Sequence, residues 1–326
     1  MPGPNFFIVG APKCGTTALA EYLRTHPQVF LSLPKEPCFW SRDIAVDRDL
    51  GFDIRTLDEY LQLFAKARPS HLRIGEASTT YLWSETAVPD IMQFAPDCSI
   101  IAMVRNPIEM AQALHQEEVF SFVEDQEDFE TAWSLQPIRA RGGNIPARCC
   151  APQKLQYRRI ASLGTHVQKL FQHVPQAQRL VIVYDDFAAS PAAEYARVLR
   201  FLGLPHDSRS EFPRVNARKR HRNTRLARAL LRPPQSCAPI VCLLRTMIRR
   251  TPLRGIRSGF LKALSRTDRP APLSPVFRRH LADTFRDEVY LLGDLLGRDL
   301  LHWLNVDEMS SPSMPLREQT VTGGHC

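Results

Sequence analysis

The stretch Ile8 to Leu19, IVGAPKCGTTAL, limits what this chain can fold into more than any other segment. Phe6 to Val9 is a short continuous apolar run, the pattern of a strand buried on both faces of a parallel sheet. Gly10 and Gly15 bracket a turn, after which Ala18, Leu19, Tyr22 and Leu23 recur at helical spacing until Pro27 ends the helix. Strand, glycine turn and helix gather backbone N–H groups and the positive end of a helix dipole around one point, which makes an anion cradle. A strict nucleoside-triphosphate loop places its lysine directly after the last glycine and before Ser or Thr. Here Lys13 precedes Gly15, and Thr16 and Thr17 follow it, so the loop is of phosphate-binding type with its cation displaced.

Strand followed by polar turn and helix recurs more weakly at Arg73 to Glu76, Cys98 to Val104 and Leu180 to Tyr184. That alternation predicts an α/β fold: a P-loop-like central parallel sheet flanked by helices, with sites at the C-terminal ends of the strands. A chain of 326 residues, 44% hydrophobic and 23% charged, is long enough for one large core and too apolar for wholesale disorder. Residues 1–307 read as one domain, and 308–326 as a disordered tail. The net charge of +8 is local: from Arg214 to Arg269 sixteen Lys and Arg stand against one acid, Asp268. Prolines 233, 234, 239 and 252 break this 214–270 segment into short helices, so it reads as a basic C-terminal helical lid. Pro270 to Pro275, PAPLSP, reads as a linker or sharp turn, and a helical period returns from His280 to Leu296.

The leucines and arginines mixed through that segment allow a peripheral contact with an anionic membrane or an acidic acceptor. Nucleic acid is not expected, because Phe260 is the sole aromatic between Leu226 and Leu264 on which a base could stack. The eight cysteines show neither C-x-x-C pairs nor histidines at ligand spacing, so they read as reduced thiols of a cytoplasmic protein without a metal site. The N-terminus enters its first strand with no signal peptide before it, and no apolar run approaches the roughly 20 residues that span a bilayer.

The loop does not stand alone. With KEPCFW at Lys35 to Trp40, GEASTTYL at Gly75 to Leu82, VRNPIEMAQALH at Val104 to His115, VIVYDDFAASP at Val181 to Pro191, FLGL at Phe201 to Leu204 and LLGRDLLHWL at Leu295 to Leu304, it resembles the sulfotransferase superfamily. Those enzymes use 3′-phosphoadenosine 5′-phosphosulfate (PAPS) and release adenosine 3′,5′-bisphosphate, without a metal. The resemblance covers most of the chain in the right order and points to the glycan branch, the heparan-sulfate and tyrosylprotein enzymes and their bacterial relatives. It implies sulfuryl transfer to a hydroxyl of a carbohydrate, lipid or secondary-metabolite acceptor.

By that resemblance Lys13 neutralises the bridging oxygen as the S–O bond breaks, and Cys14, Gly15, Thr16 and Thr17 line the 5′-phosphate. Arg105 grips the 3′-phosphate with a guanidinium fork. The family's second 3′-phosphate ligand is a serine eight residues later, where this chain has Ala113. Lys219, Arg220 and Arg222 in NARKRHRNTRL are candidate nucleotide ligands of a closing loop and could compensate for that loss. Glu36 matches the catalytic glutamate, and its neighbours Pro37, Phe39 and Trp40 offer desolvation that would raise its pKa. Glu76 and Tyr81 match a segment near the acceptor pocket, although glycan enzymes often carry a lysine after that glutamate and this chain has Ala77. Ser78 suits a turn hydrogen bond. His26 and His115 are rival bases, each better suited to packing. A P-loop kinase is the rival enzyme class, opposed by the missing G-K-[ST] order, and Ala113 keeps open a sulfotransferase fold retained only for binding.

Overall fold

The computed structural model describes residues 3–45, 54–147, 149–213, 220–221, 265–266 and 272–305. Its first half runs β1 (Phe6–Gly10), α1 (Thr16–Arg24), β2 (Val29–Leu31), α2 (Leu57–Gln62), β3 (Arg73–Ala77), α3 (Ala87–Phe94), β4 (Ser99–Val104) and α4 (Pro107–Phe120). There follow α5 (Phe129–Ser134), α6 (Gln136–Ala140), α7 (Tyr157–Ile160), α8 (Leu163–His173), β5 (Arg179–Val183), α9 (Tyr184–Ala189) and α10 (Pro191–Phe201). Two short strands, β6 (Arg220–His221) and β7 (Ser265–Arg266), pair antiparallel, and α11 (Pro275–Leu296) closes the described chain.

β1 to β5 form one all-parallel sheet in the order β2-β3-β1-β4-β5. Every residue of β1 and β4 is buried, as continuous apolar strands covered by helices on both faces must be. Phe6 opposes Gly75 in the register, and a Cβ at Gly75 would stand 2.4 Å from the Phe6 carbonyl oxygen, so the glycine of GEASTTYL lets β3 lie against β1. β1 is central: the chain goes first to β2 and β3 on one side and then to β4 and β5 on the other. The turns after β1, β3, β4 and β5 therefore converge beyond the strands' C-terminal ends, where open parallel sheets bind ligands.

The sequence-based strands are present, while β2 was not foreseen because its three residues after Pro27 are too few to show a period. PAPLSP is only partly a linker. The Ser274 side chain caps α11 by accepting from the Phe277 N–H at 3.2 Å, and Pro275 is the helix's first residue, a favourable place for a residue that lacks an N–H. α11 packs on α8, where Glu288 accepts from the Thr165 N–H at 2.8 Å and from its hydroxyl at 2.7 Å. The basic 214–270 segment and the 308–326 tail lie outside the described residues, save for the backbone of β6 and β7.

Candidate active site

Two helices leave adjacent strands into this region, and their N-termini differ. α4 has an ordinary start: the Asn106 carboxamide oxygen accepts from the Ile108 N–H at 3.0 Å, Pro107 is the first residue and Glu109 stands in the first turn. α1 has no side-chain cap and no acid in its first turn. Gly15, at its N-cap, has φ 92°, a left-handed conformation that favours glycine. A Cβ there would come within 3.2 Å of the Tyr184 ring and 3.3 Å of Met103 Cε. The first-turn amides of α1 are thus open to an anion, with Thr16 buried at the helix start and Thr17 partly exposed.

Lys13 lies on this loop, its Nζ 3.3 Å from Glu117 Oε2 near the end of α4. Arg105, at the turn after β4, stacks its guanidinium over the Tyr184 ring at 4.6 Å and donates to the Lys13 carbonyl at 3.4 Å. Its Nε also donates to Glu109 Oε2 at 3.1 Å. Lys13 and Arg105, separated by 92 positions, are so fixed to one loop. Cys14 points inward: its buried thiol donates to the Pro12 carbonyl at 3.4 Å, and burial pushes its pKa up to about 12. Only the Cys14 backbone can line the cradle. Ala113 is buried on α4, one turn after Glu109 and one before Glu117.

Glu36 and Cys38 both adopt positive φ, 63° and 53°, a cost of about 1 kcal/mol each that neighbouring contacts must offset. The Glu36 N–H donates to the Ala77 carbonyl at 3.0 Å. Its carboxylate takes Lys35 Nζ at 2.6 Å on Oε1 and the Thr79 hydroxyl at 3.0 Å on Oε2, and the side chain stays 39% exposed. The expected desolvation by Phe39 and Trp40 is corrected here: Phe39 stacks on Tyr60 at 4.7 Å and Trp40 packs on Phe94 at 4.9 Å, so both rings turn into the core and away from the carboxylate.

The aromatic cluster instead surrounds Glu76, which is fully buried. Glu76 Oε1 accepts from the hydroxyls of Tyr60 at 2.7 Å and Tyr81 at 2.8 Å, and Oε2 accepts from Ser78 at 2.7 Å. Burial pushes its pKa up to about 7, against the three hydroxyl donors that favour the ionised form. The Ser78 hydroxyl oxygen also accepts from the Cys38 N–H at 3.1 Å, so the Glu76 network holds the 36–40 loop against the end of β3. Tyr81 is likewise fully buried. Glu76 and Tyr81, matched by the resemblance to a segment near the acceptor pocket, therefore sit beneath the 36–40 loop with their side chains inside the protein.

His26 and His115 pack as their sequence setting implies. His26 Nε2 donates to the Pro205 carbonyl at 3.0 Å and Nδ1 accepts from the Gln28 N–H at 3.1 Å. Buried His115 donates to the Gln126 carbonyl at 2.8 Å, and desolvation lowers its pKa. Lys219, Arg222 and the Arg220 side chain lie outside the described residues. Among the described residues, no group of three or more His, Cys, Asp or Glu is placed to hold a metal ion, and no helix is long and apolar enough to cross a membrane.

Sequence reasoning missed Tyr60, Thr79, Glu109, Glu117, Lys154 and Tyr184. Glu109 was legible as an i, i+4 partner of Arg105. The others reach the site from elements whose approach only the fold decides. The C-terminal motif has its place too: the Trp303 indole donates to Asp185 Oδ2 at 2.7 Å, and the Asn106 side-chain amide donates to the Trp303 carbonyl at 3.0 Å, docking this turn behind β4 and β5.

A parallel sheet with an open helix N-terminus, a lysine in its loop and an arginine from the next strand is an arrangement chemically suited to a multiply charged anion. Residues 4–208 match the Sulfotransferase family, and the chain belongs to that family. Mouse carbohydrate sulfotransferase 15 is 34% identical over 143 residues, 32% of this chain and 26% of that one. Mouse heparan sulfate glucosamine 3-O-sulfotransferase 6 is 28% identical over 216 residues, 62% of this chain and 52% of the relative. The chain thus spans about half, or less, of the curated relatives it matches. The crystal structure of a sulfotransferase from Alicyclobacillus acidocaldarius superposes with a TM-score of 0.67 at 24% identity, covering 94% of this chain and 100% of that one, and so has the same fold.

Proposed function

We propose that this protein transfers a sulfuryl group from PAPS to a hydroxyl of a carbohydrate acceptor. The observation that carries the donor assignment is the pairing of an uncapped, acid-free α1 N-terminus with two cations, Lys13 and Arg105, fixed to one loop. A nucleotide with phosphate groups at both the 3′ and 5′ positions presents anionic charge at two separated points, which fits this arrangement. The family's glycan members, and the carbohydrate and heparan sulfate named in the relatives, support a sugar hydroxyl as acceptor.

PAPS supplies an activated sulfuryl group on a phosphate leaving group. The amides of Gly15, Thr16 and Thr17 hold the 5′-phosphate, and Arg105, flattened on Tyr184, holds the 3′-phosphate. Glu36 takes the acceptor's hydroxyl proton as the acceptor oxygen bonds to sulfur, and Thr79 and Lys35 hold its carboxylate in place. Lys13 neutralises the charge left on the 5′-phosphate oxygen as its bond to sulfur breaks. Glu76 fixes the height of the Glu36 loop without touching substrate.

The test is transfer of labelled sulfate from PAPS to a panel of polysaccharides and simple sugar hydroxyls, with Lys13→Ala and ATP plus magnesium as controls. Labelled product that is lost in Lys13→Ala supports the proposal. Turnover of ATP with magnesium would revive the kinase alternative. Tight binding of adenosine 3′,5′-bisphosphate with no transfer to any acceptor would favour a binding protein, with Ala113 as the departure to examine.

A further inference from the structure

Glu109, Ala113 and Glu117 succeed one another at four-residue intervals, so they share one face of α4. That face looks onto the donor loop, because Glu109 bonds Arg105 and Glu117 pairs with Lys13. Each cation assigned to the donor is thus already matched by one carboxylate from a single helix stripe. The position between them carries a methyl group where the family has a hydroxyl. Ordinary surface pairing is a poor explanation for the Arg105–Glu109 contact, whose side chains are only 13% and 27% exposed.

Lys154 adds a second observation. It lies on the turn Pro152–Leu155, which packs against α4; burial, the largest single effect, disfavours its charged form, but Glu118, Cys38, Glu36 and Glu117 together outweigh it and raise its pKa. Its backbone N–H donates to the Ala151 carbonyl at 3.0 Å, while among the described residues its ammonium group makes no hydrogen bond or ion pair. Glu117 has a second cation within electrostatic reach once Lys13 is engaged elsewhere.

We infer that Glu109 and Glu117 set the strength of donor binding: each competes with one phosphate of the donor for its cation, and a ligand binds fully only by displacing both, Glu117 then turning to Lys154. A nucleotide with one phosphate displaces only one carboxylate, so the stripe weakens a bisphosphate more than a monophosphate. The competing explanation is local helix electrostatics, since an acid in the first turn of α4 stabilises the helix whether or not a ligand exists. The inference rests on the donor site proposed above, and the test separates the two.

Calorimetric titration with adenosine 3′,5′-bisphosphate and with adenosine 5′-phosphate is run on the full chain and on E109Q, E117Q and K154M. Both glutamates are part-exposed, so the Gln variants keep the wild-type fold and melt. E109Q is expected to tighten the bisphosphate about threefold to tenfold and leave the monophosphate unchanged, while E117Q tightens both, as relief of a partly screened competing charge requires. K154M is expected to weaken the bisphosphate severalfold in the wild-type background and not in E117Q, a coupling that helix electrostatics does not produce. Wild-type binding with unchanged affinity in E109Q and E117Q overturns the inference and leaves the donor site standing. Binding by the Gln variants alone supports it. No binding of the bisphosphate by any variant overturns the donor site and this inference together.

Discussion

Glu36 and Glu76 lie at the same edge of the sheet and are joined through the Ser78–Thr79 turn, yet they are opposite kinds of carboxylate. Glu76 is fully buried, accepts three hydroxyl donors and has its pKa pushed up to about 7. Glu36 is 39% exposed, sits in left-handed backbone and is held by one lysine and one threonine. The first ties the 36–40 loop to the end of β3 through Ser78, and the second stands at the surface of that loop, the exposure that the proposed general base requires. Neither a motif nor a pKa alone separates these tasks. The Glu76 titration is perturbed, which often marks a catalytic group, but its oxygens face only protein hydroxyls.

The sharpest way to break this contrast is Glu36→Gln, which should lower kcat by about 10²–10⁴-fold, the usual contribution of a general base, while changing stability by less than about 0.5 kcal/mol. Initial rates and thermal melts on the same preparation check it; a large drop in melting temperature would make Glu36 a structural residue like Glu76. Next in size, Glu76→Ala leaves three buried hydroxyls without their acceptor and should cost about 3 kcal/mol in urea unfolding. A loss below 1 kcal/mol would show that the buried node is not what holds the 36–40 loop.

The pH dependence of stability sharpens the same point. The unfolded Glu76 carboxyl ionises near its ordinary 4.5 and the folded one near 7, so between these values the folded chain binds more protons. This group's contribution therefore falls as pH rises, by about 2 kcal/mol between pH 5 and pH 8. Comparing the pH slope of unfolding in wild type and Glu76→Gln isolates it: the variant should lack that downward component. The smallest effect expected is for Thr79→Val, which removes one hydrogen bond from Glu36 and should reduce kcat about threefold to tenfold with less than about 1 kcal/mol of destabilisation.

Much of the fold could be read from local pattern. β1 and β4 are uninterrupted apolar runs, and Gly15 followed by a helical period announced the loop and α1. The family resemblance, not local pattern, assigned Lys13 and Arg105 to one site, and in the structure the Arg105 guanidinium donates to the Lys13 carbonyl. The acceptor side was less legible for a physical reason: burial is a tertiary property. Phe39 and Trp40 neighbour Glu36 in sequence, but the loop's reversal sends their rings toward Tyr60 and Phe94 and the desolvation they cause falls on Glu76. Tyr60 arrives from α2, and no spacing in GEASTTYL predicts it. β2 was too short to show a period, and the pairing of Glu117 with Lys13 depends on how α4 crosses the loop.

The donor site is tested most directly by calorimetric titration of adenosine 3′,5′-bisphosphate into wild type and Arg105→Ala, with ATP as control. Micromolar binding to wild type, weakened about 100-fold or more in the variant by loss of a charge-assisted bidentate contact, with ATP bound much more weakly, is the expected result. Equal affinity in the two proteins, or ATP bound as tightly as the bisphosphate, would contradict the assignment of Lys13, Gly15 and Arg105 to a PAPS site.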